Sequence, residues 1–253
     1  MISRYEAYMD GNPLSHVNPN IIIKDFAHES AEIEYEVSAV TNRNGGIVTN
    51  SRQDGSSVTI TFEIHEYSIQ RRQQVCNDVI RWARGAILET NDRPGQQLHV
   101  RCVSFPRVES AMEWTSDLQM TFTAYEFPYW EEKTPAKLIL SGNSGEGTLF
   151  VPGNAGEAFT EVLITPNSTM ANITLSVGNT AIALTGCGAT TANPVRITQD
   201  QYGFIQIKVG NVSILDKRTG SDELLAECGV TNDISYTSSA NVTVEFTVRG
   251  LWL

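Results

Sequence analysis

Glu131 and Glu132 follow Tyr129 and Trp130 in the run TAYEFPYWEEKTP, and carboxylates beside large aromatic rings are the raw material of a carbohydrate site. Hydrolysis of a glycosidic bond needs two carboxylates facing each other across the sugar, which neighbours in a linker do not do. His16, His28, His65 and His99 are scattered and share no metal-ligand spacing. SGNSGEG (141–147) is glycine-rich but lacks the Lys-Ser/Thr ending of a phosphate loop, and it reads as a turn. There is no G-x-S-x-G elbow. Cys76, Cys102, Cys187 and Cys228 lie far apart without a C-x-x-C pair and read as reduced, buried thiols. The sequence carries no enzyme signal, and no cofactor or metal is expected.

Sugar binding without catalysis is a separate matter, because a β-sandwich can hold a sugar against exposed aromatics. The second half of the chain offers Tyr202, Tyr236 and Trp252 for this, since Phe204 and Phe246 take core positions by alternation. Tyr129 and Trp130 admit three readings: packing on their own domain, a subunit contact, or a sugar platform. Pro128 sets the question by removing the next ladder donor after an alternating strand.

The balance of charge narrows the partners. The 253 residues carry a net charge of −11, which argues against a nucleic-acid surface, because phosphates demand a basic footprint. No run reaches the roughly 18 apolar residues of a membrane helix. The first residues, MISRYEAYMDGN, show no apolar signal region, so secretion is not expected and a cytoplasmic origin is. The charge is uneven. Residues 1–132 hold 11 basic and 19 acidic side chains, a net −8, and residues 133–253 hold 7 and 10, a net −3. Within the first part, seven arginines between Arg71 and Arg107 face only three acids, a local +4. A basic band in an acidic domain suits self-complementary assembly, with Arg71, Arg72 and Arg81 opposed to Glu32, Glu34 and Glu36. A solvated helix face is the plain alternative.

Composition shifts near residue 133, from Arg-rich to Thr-, Asn-, Ser- and Gly-rich, and EEKTPAK between the two suits an exposed linker. Two domains are expected, 1–132 and 133–253. In the first, IIIKDF, EIEYEVSAV and SSVTITFEIHEY alternate as strands, with 41–57 as a long loop or extended hairpin. From Ser68, a plausible N-cap, IQRRQQVCNDVIRWARGA sets Val75, Val79, Trp82 and Ala86 on one stripe, and Gly85 is a natural stop. AILET and QLHVRCV form a hairpin around NDRPGQ, and WTSDLQMTFTAYEF closes the domain. The second domain reads as short strands (TEVLITP, ITLSV, TAIALTG, FIQIKV, NVSILD, NVTVEFTVRG) between turn signals, a jelly-roll-like sandwich; SDELLAE is its one candidate helix.

The order of these pieces carries a resemblance. The helix RRQQVCNDVIRWA, the strand-turn-strand AILETNDRPGQQLHV, the strand EWTSDLQMTFTAYEFPYWEE and the ending VEFTVRGLWL together resemble the distal tail proteins of long-tailed bacteriophages, the Dit type. The resemblance covers nearly the whole chain apart from 41–57. It implies a mainly β fold: a ring-forming β-sandwich with one flanking helix, then a galectin-like sandwich on the ring's outside. It also implies a structural virion protein, typically a hexamer, assembled in the host cytoplasm and located in the tail. Its partners would be the tail tube, the tape-measure protein and the receptor-binding proteins of the tail tip. The rival class is a carbohydrate-binding adhesion module reaching the host wall through the second sandwich.

Overall fold

Asp10 and Gly11 both take positive φ, 50° and 77°, which turns the short strands β1 (Ala7–Met9) and β2 (Asn12–Pro13) into a hairpin. Asp-Gly is the pair that tolerates this left-handed twist. The same aspartate accepts the backbone N–H groups of Ala86 and Ile87, so one residue makes the turn and ties it to a distant segment. In the computed structural model the described residues are 5–29, 33–39, 46–53, 55–106, 117–200 and 203–253, those of 33–39 and 46–53 by backbone alone except Glu36. They divide into two compact units, Met1–Trp130 with Leu253, and Glu131–Trp252.

The first unit contains α1 (Leu14–Val17), β3 (Ile21–Glu29), β4 (Ile33–Ala39), β5 (Gly46–Gln53) and β6 (Ser56–Ile64). Then come α2 (Ile69–Trp82), β7 (Ile87–Thr90), β8 (Gln96–His99), β9 (Arg101–Ser104) and β10 (Leu118–Ala124). Strand β6 is central in the sheet β3-β6-β10-β9. Its Val58, Ile60 and Phe62 lie opposite Phe122, Met120 and Leu118 of β10, all buried. Period-two alternation is thereby satisfied on both strands at once, and burying each such side chain is worth about 1.5–3 kcal/mol. Helix α2 buries Val75, Cys76 and Val79. Its Trp82 meets Phe122 edge-on at 6.2 Å and donates its indole N–H to the Asn12 carbonyl.

Of the local expectations, the Ser68 N-cap holds in position and two others change. Ser68 is the N-cap residue of α2 but its hydroxyl makes no cap bond. The helix ends at Trp82, before Gly85, and Gly85 is required for space: a Cβ there would collide with the Met9 side chain and the Asp10 carboxylate. QLHVRCV is two strands, because buried Val100 donates to the Ala86 carbonyl between β8 and β9. Strand β8 pairs with β7, and β9 pairs with β10. The 41–57 stretch contributes β5, which pairs with β4 as an extended hairpin.

The second unit begins with β11 (Trp130–Glu132), whose first residue belongs to the first unit, and runs through β12 (Ala136–Phe150), β13 (Glu157–Pro166), β14 (Ile173–Val177) and β15 (Thr180–Leu184). There follow β16 (Val195–Gln199), β17 (Ile205–Val209), β18 (Val212–Ser213), β19 (Arg218–Gly220), β20 (Leu225–Glu227), β21 (Thr231–Val248) and β22 (Leu251–Trp252). The long β21 organises it. Its first half pairs with β14, its second half with β13, and β12 follows it along both halves. Ile234, Tyr236, Val242, Val244, Phe246 and Val248 are all buried. The architecture is mainly β, a curled antiparallel sandwich.

Two readings are corrected here. SGNSGEG is no turn but the middle of β12, and its glycines are sites of close approach. A Cβ on Gly145 would stand 2.7 Å from Tyr236 Cε1, and one on Gly147 would stand 3.1 Å from Leu138 Cδ2. SDELLAE forms no helix; its Leu225–Glu227 is an extended strand paired with β13.

Candidate functional site

Trp130, the residue left unplaced by Pro128, is only 3% exposed. The strand before it ends at Ala124, and Ser56 Oγ holds the Pro128 carbonyl at 2.9 Å. The indole then meets the imidazole of His28 edge-on, 5.6 Å between centroids, while the Arg93 guanidinium stands 5.1 Å over its face. His28 Nε2 lies 2.7 Å from Asp92 Oδ2. Phe26 and Tyr5 continue the stack, with Tyr5 edge-on to Phe26 at 5.4 Å. Tyr129 is half-buried and packs edge-on against Phe127. Burial would raise the Asp92 carboxyl, but the neighbouring Thr90 hydroxyl and the His28 hydrogen bond outweigh that and hold it below its ordinary value.

The cluster is assembled from four separate stretches of chain: Tyr5 before β1, Phe26 and His28 on β3, Asp92 and Arg93 in the β7–β8 turn, and Trp130 past the exit of β10. None of those pairings is written in local sequence. The cluster fastens the end of the first unit, and it leaves no aromatic face for a sugar at Trp130.

A second polar group lies on β3 and β6. The register shift between Ile23 and Asp25 leaves Lys24 as the bulged residue, a device that re-aims one side chain. Lys24 Nζ reaches Glu63 at 3.1 Å and Asp117 at 2.6 Å, and Glu63 also lies 2.7 Å from His65 Nε2. Burial pushes the Glu63 carboxyl up, but the His65 and Lys24 hydrogen bonds and the Lys24 charge leave it below the usual carboxylate range.

A pH dependence follows. Both carboxylates have depressed folded pKa values, so their contribution is complete above the unfolded values of about 3.9 for Asp and 4.3 for Glu. It is lost as pH falls through the lower folded values. Glu63→Gln should therefore lower stability at neutral pH and flatten the fall in stability on acidification, read as denaturant midpoints between pH 6 and about 3. A variant whose pH profile runs parallel to the parent's would remove Glu63 from the account.

The remaining sequence candidates fall as follows. Arg71 and Arg81 are exposed on α2, and Arg81 pairs with Asp78 of its own helix at 3.1 Å. Arg72 is buried. Glu36 is exposed on β4 opposite Asn50; Glu34 stands opposite Arg52 by backbone register, and Glu32 lies outside the described residues. Tyr202 also lies outside them. Tyr236 is buried, with its hydroxyl donating to the Gly142 carbonyl at 3.1 Å, so it is no sugar platform. Trp252 is half-buried and donates its indole N–H to Glu132 at 3.0 Å. Phe246 is core, but Phe204 is 68% exposed, against the alternation reading.

The four cysteines are free. Burial pushes the Cys76 and Cys102 thiols up to about 11, so neither is a thiolate at neutral pH. Among the described residues no group of three or more His, Cys, Asp and Glu side chains is arranged to hold a metal ion, and no helix is long and apolar enough to cross a membrane.

No protein-family model and no curated protein sequence matches the chain. Solved structures do match. The Dit protein of phage SPP1, described as a paradigm of the hub adsorption apparatus in phages infecting Gram-positive hosts, aligns with a TM-score of 0.70 at 10% identity, over 97% of this chain and 98% of that one. A chain of the phage P2 baseplate in its activated conformation with Ca aligns with a TM-score of 0.50 at 11% identity, over 99% and 98%. The chain has the Dit-type phage tail fold through both of its units.

Proposed function

We propose that this protein is a structural hub of a long-tailed phage or prophage: a distal tail component that assembles as a ring between the tail tube and the tail tip. The observation that carries this reading is the whole-chain likeness to the SPP1 Dit protein, which spans both units rather than one common sandwich. A shared sandwich alone would say little, since that architecture hosts many functions. In this reading the first unit builds the ring, and the second, with a domain boundary near residue 132, sits at its periphery. The partners are the tube, the tape-measure protein and the receptor-binding proteins, and the location is the virion tail.

A closed ring needs a head-to-tail surface, two different patches that complement each other. Arg71 and Arg81, exposed on α2, supply one patch, and the ribbon bearing Glu36 supplies the other. Negative-stain microscopy and light scattering at low salt should show rings. Assembly should weaken as ionic strength rises, because exposed charges beyond about 10 Å are screened at 0.1 M. Reversing both arginines to glutamate should abolish rings while leaving monomer melting unchanged. A protein that stays monomeric at high concentration and low salt would overturn the hub reading.

A further inference from the structure

EEKTPAK has the composition of an exposed linker, yet where it enters the second unit its backbone is held by the stretch that follows β21. The Glu132 N–H donates to the Gly250 carbonyl at 2.9 Å. One guanidinium nitrogen of Arg249 donates to two successive carbonyls, Glu132 at 3.1 Å and Lys133 at 3.0 Å. The Trp252 indole N–H donates to Glu132 Oε1 at 3.0 Å. The holding stretch is itself fixed elsewhere in the unit. The carbonyl of buried Leu251 accepts the N–H groups of Asn154 and Ala155 at 2.9 and 3.2 Å. Gly250 has no room for a side chain, because a Cβ there would collide with the Pro152 carbonyl oxygen. Residues 249–252 are thus bonded both to the entering chain and to the 152–155 segment.

We propose that residues 249–252 are a clasp that keeps the entry of the second unit closed, with Arg249 and Trp252 holding residues 132 and 133 against fraying or pull. Chain just outside a strand ordinarily opens first, and a protease finds it there. Lys133 and Thr134 are exposed, and Pro135 has no N–H to give, so nothing local would hold this stretch. Strand β12 begins at Ala136, opposite Val248 at the end of β21. Without the clasp, opening would start at that pair and run along the β12–β21 ladder. With it, the entering chain is tied to residues that are anchored independently of β12. Each bond is modest, and their convergence on Glu132 and Lys133 is what closes the entry. The same contacts give Trp252 a structural role. The clasp does not depend on the hub reading; its test reads local opening, so its failure leaves the ring untouched.

The test is amide hydrogen exchange on the full chain, with limited trypsin digestion alongside. In the parent the Glu132 amide should be protected, and cleavage after Lys133 should be slow although that residue is exposed. Arg249→Ala combined with Trp252→Phe, which keeps a ring and removes the N–H, should speed both by about tenfold or more. Trp252→Phe alone should have a smaller effect in the same direction. The amides of β13 should keep their rates in every variant. Arg196→Ala, at another exposed arginine of the same unit, should change neither readout. Free exchange at Glu132 or rapid cleavage after Lys133 in the parent would overturn the proposal, as would a double variant that leaves both unchanged. Equal acceleration across β13 would overturn it too, because residues 249–252 would then belong to the cooperative core and not to a clasp.

Discussion

Trp130→Ala should lower the stability of the first unit by roughly 3–5 kcal/mol. A buried tryptophan removes on the order of 150–250 Å² from water, worth about 4–6 kcal/mol at 25 cal/mol per Å² before entropy and strain. The loss goes beyond area. His28 would lose the edge-on indole 5.6 Å away, and Arg93 would lose the face it covers; a cation over an aromatic face contributes about 0.5–1 kcal/mol even near the surface. A denaturant melt of the purified monomer measures the effect, with Trp130→Phe as the milder comparison and Arg93→Ala as the test of the cation contact. Because Trp130 is buried within a single chain, the cost must appear without any assembly. A variant with an unchanged midpoint would show that the indole and its cluster do not hold the first unit together.

How much of this could be read in advance divides along a physical line. Strands such as β6 and β10 were legible because the side-chain period of two is a local property, and Val58, Ile60 and Phe62 declare it without help. Helix α2 was legible for the same reason, its stripe falling on Val75 and Val79. The hidden parts depend on what approaches from elsewhere. Glycine has two uses, and a sequence does not say which applies: at Gly11 it serves a positive φ, at Gly145 it serves a neighbour's ring. SGNSGEG therefore looked like a turn. Phe204 looked like core by alternation, yet the strand begins only at Ile205, and the ring lies beyond the point where the period applies. The Trp130 cluster was hidden because Tyr5, His28 and the Asp92–Arg93 pair come from separate stretches, and only the fold assembles them.

The Asp10–Gly11 hairpin is the opposite case, a local signal that could have been read and was not. "MDGN" between Ala7 and Pro13 is an Asp-Gly turn with too little strand on either side to raise attention. Its importance comes from the Asp10 carboxylate, which fixes Ala86 and Ile87 just past the end of α2. The candidate interface arginines sit on that helix, which its own buried Val75, Cys76 and Val79 anchor, and the turn fixes the chain just beyond its end.

The second large effect is expected at Gly145. Gly145→Val should destabilise the second unit by about 2–3 kcal/mol, the upper part of the usual range for overpacking a closed core. The reason is specific. The first added carbon would stand 2.7 Å from Tyr236 Cε1 and 3.2 Å from Leu140 Cβ; Leu140 is half-buried, and Tyr236 is the confined neighbour. Tyr236 is buried and its hydroxyl is tied to the Gly142 carbonyl, so the ring cannot swing aside without giving up that bond. Phe at 236 would lose the bond, worth about 1 kcal/mol, and keep the clash. Ala at 236 would remove the clash at the cost of a cavity. In the Tyr236→Ala background, Gly145→Val should therefore cost little or even restore stability, with a coupling between the two sites of about 1–3 kcal/mol. Additive effects in that cycle would mean that the glycine answers to its own backbone and not to the ring beside it.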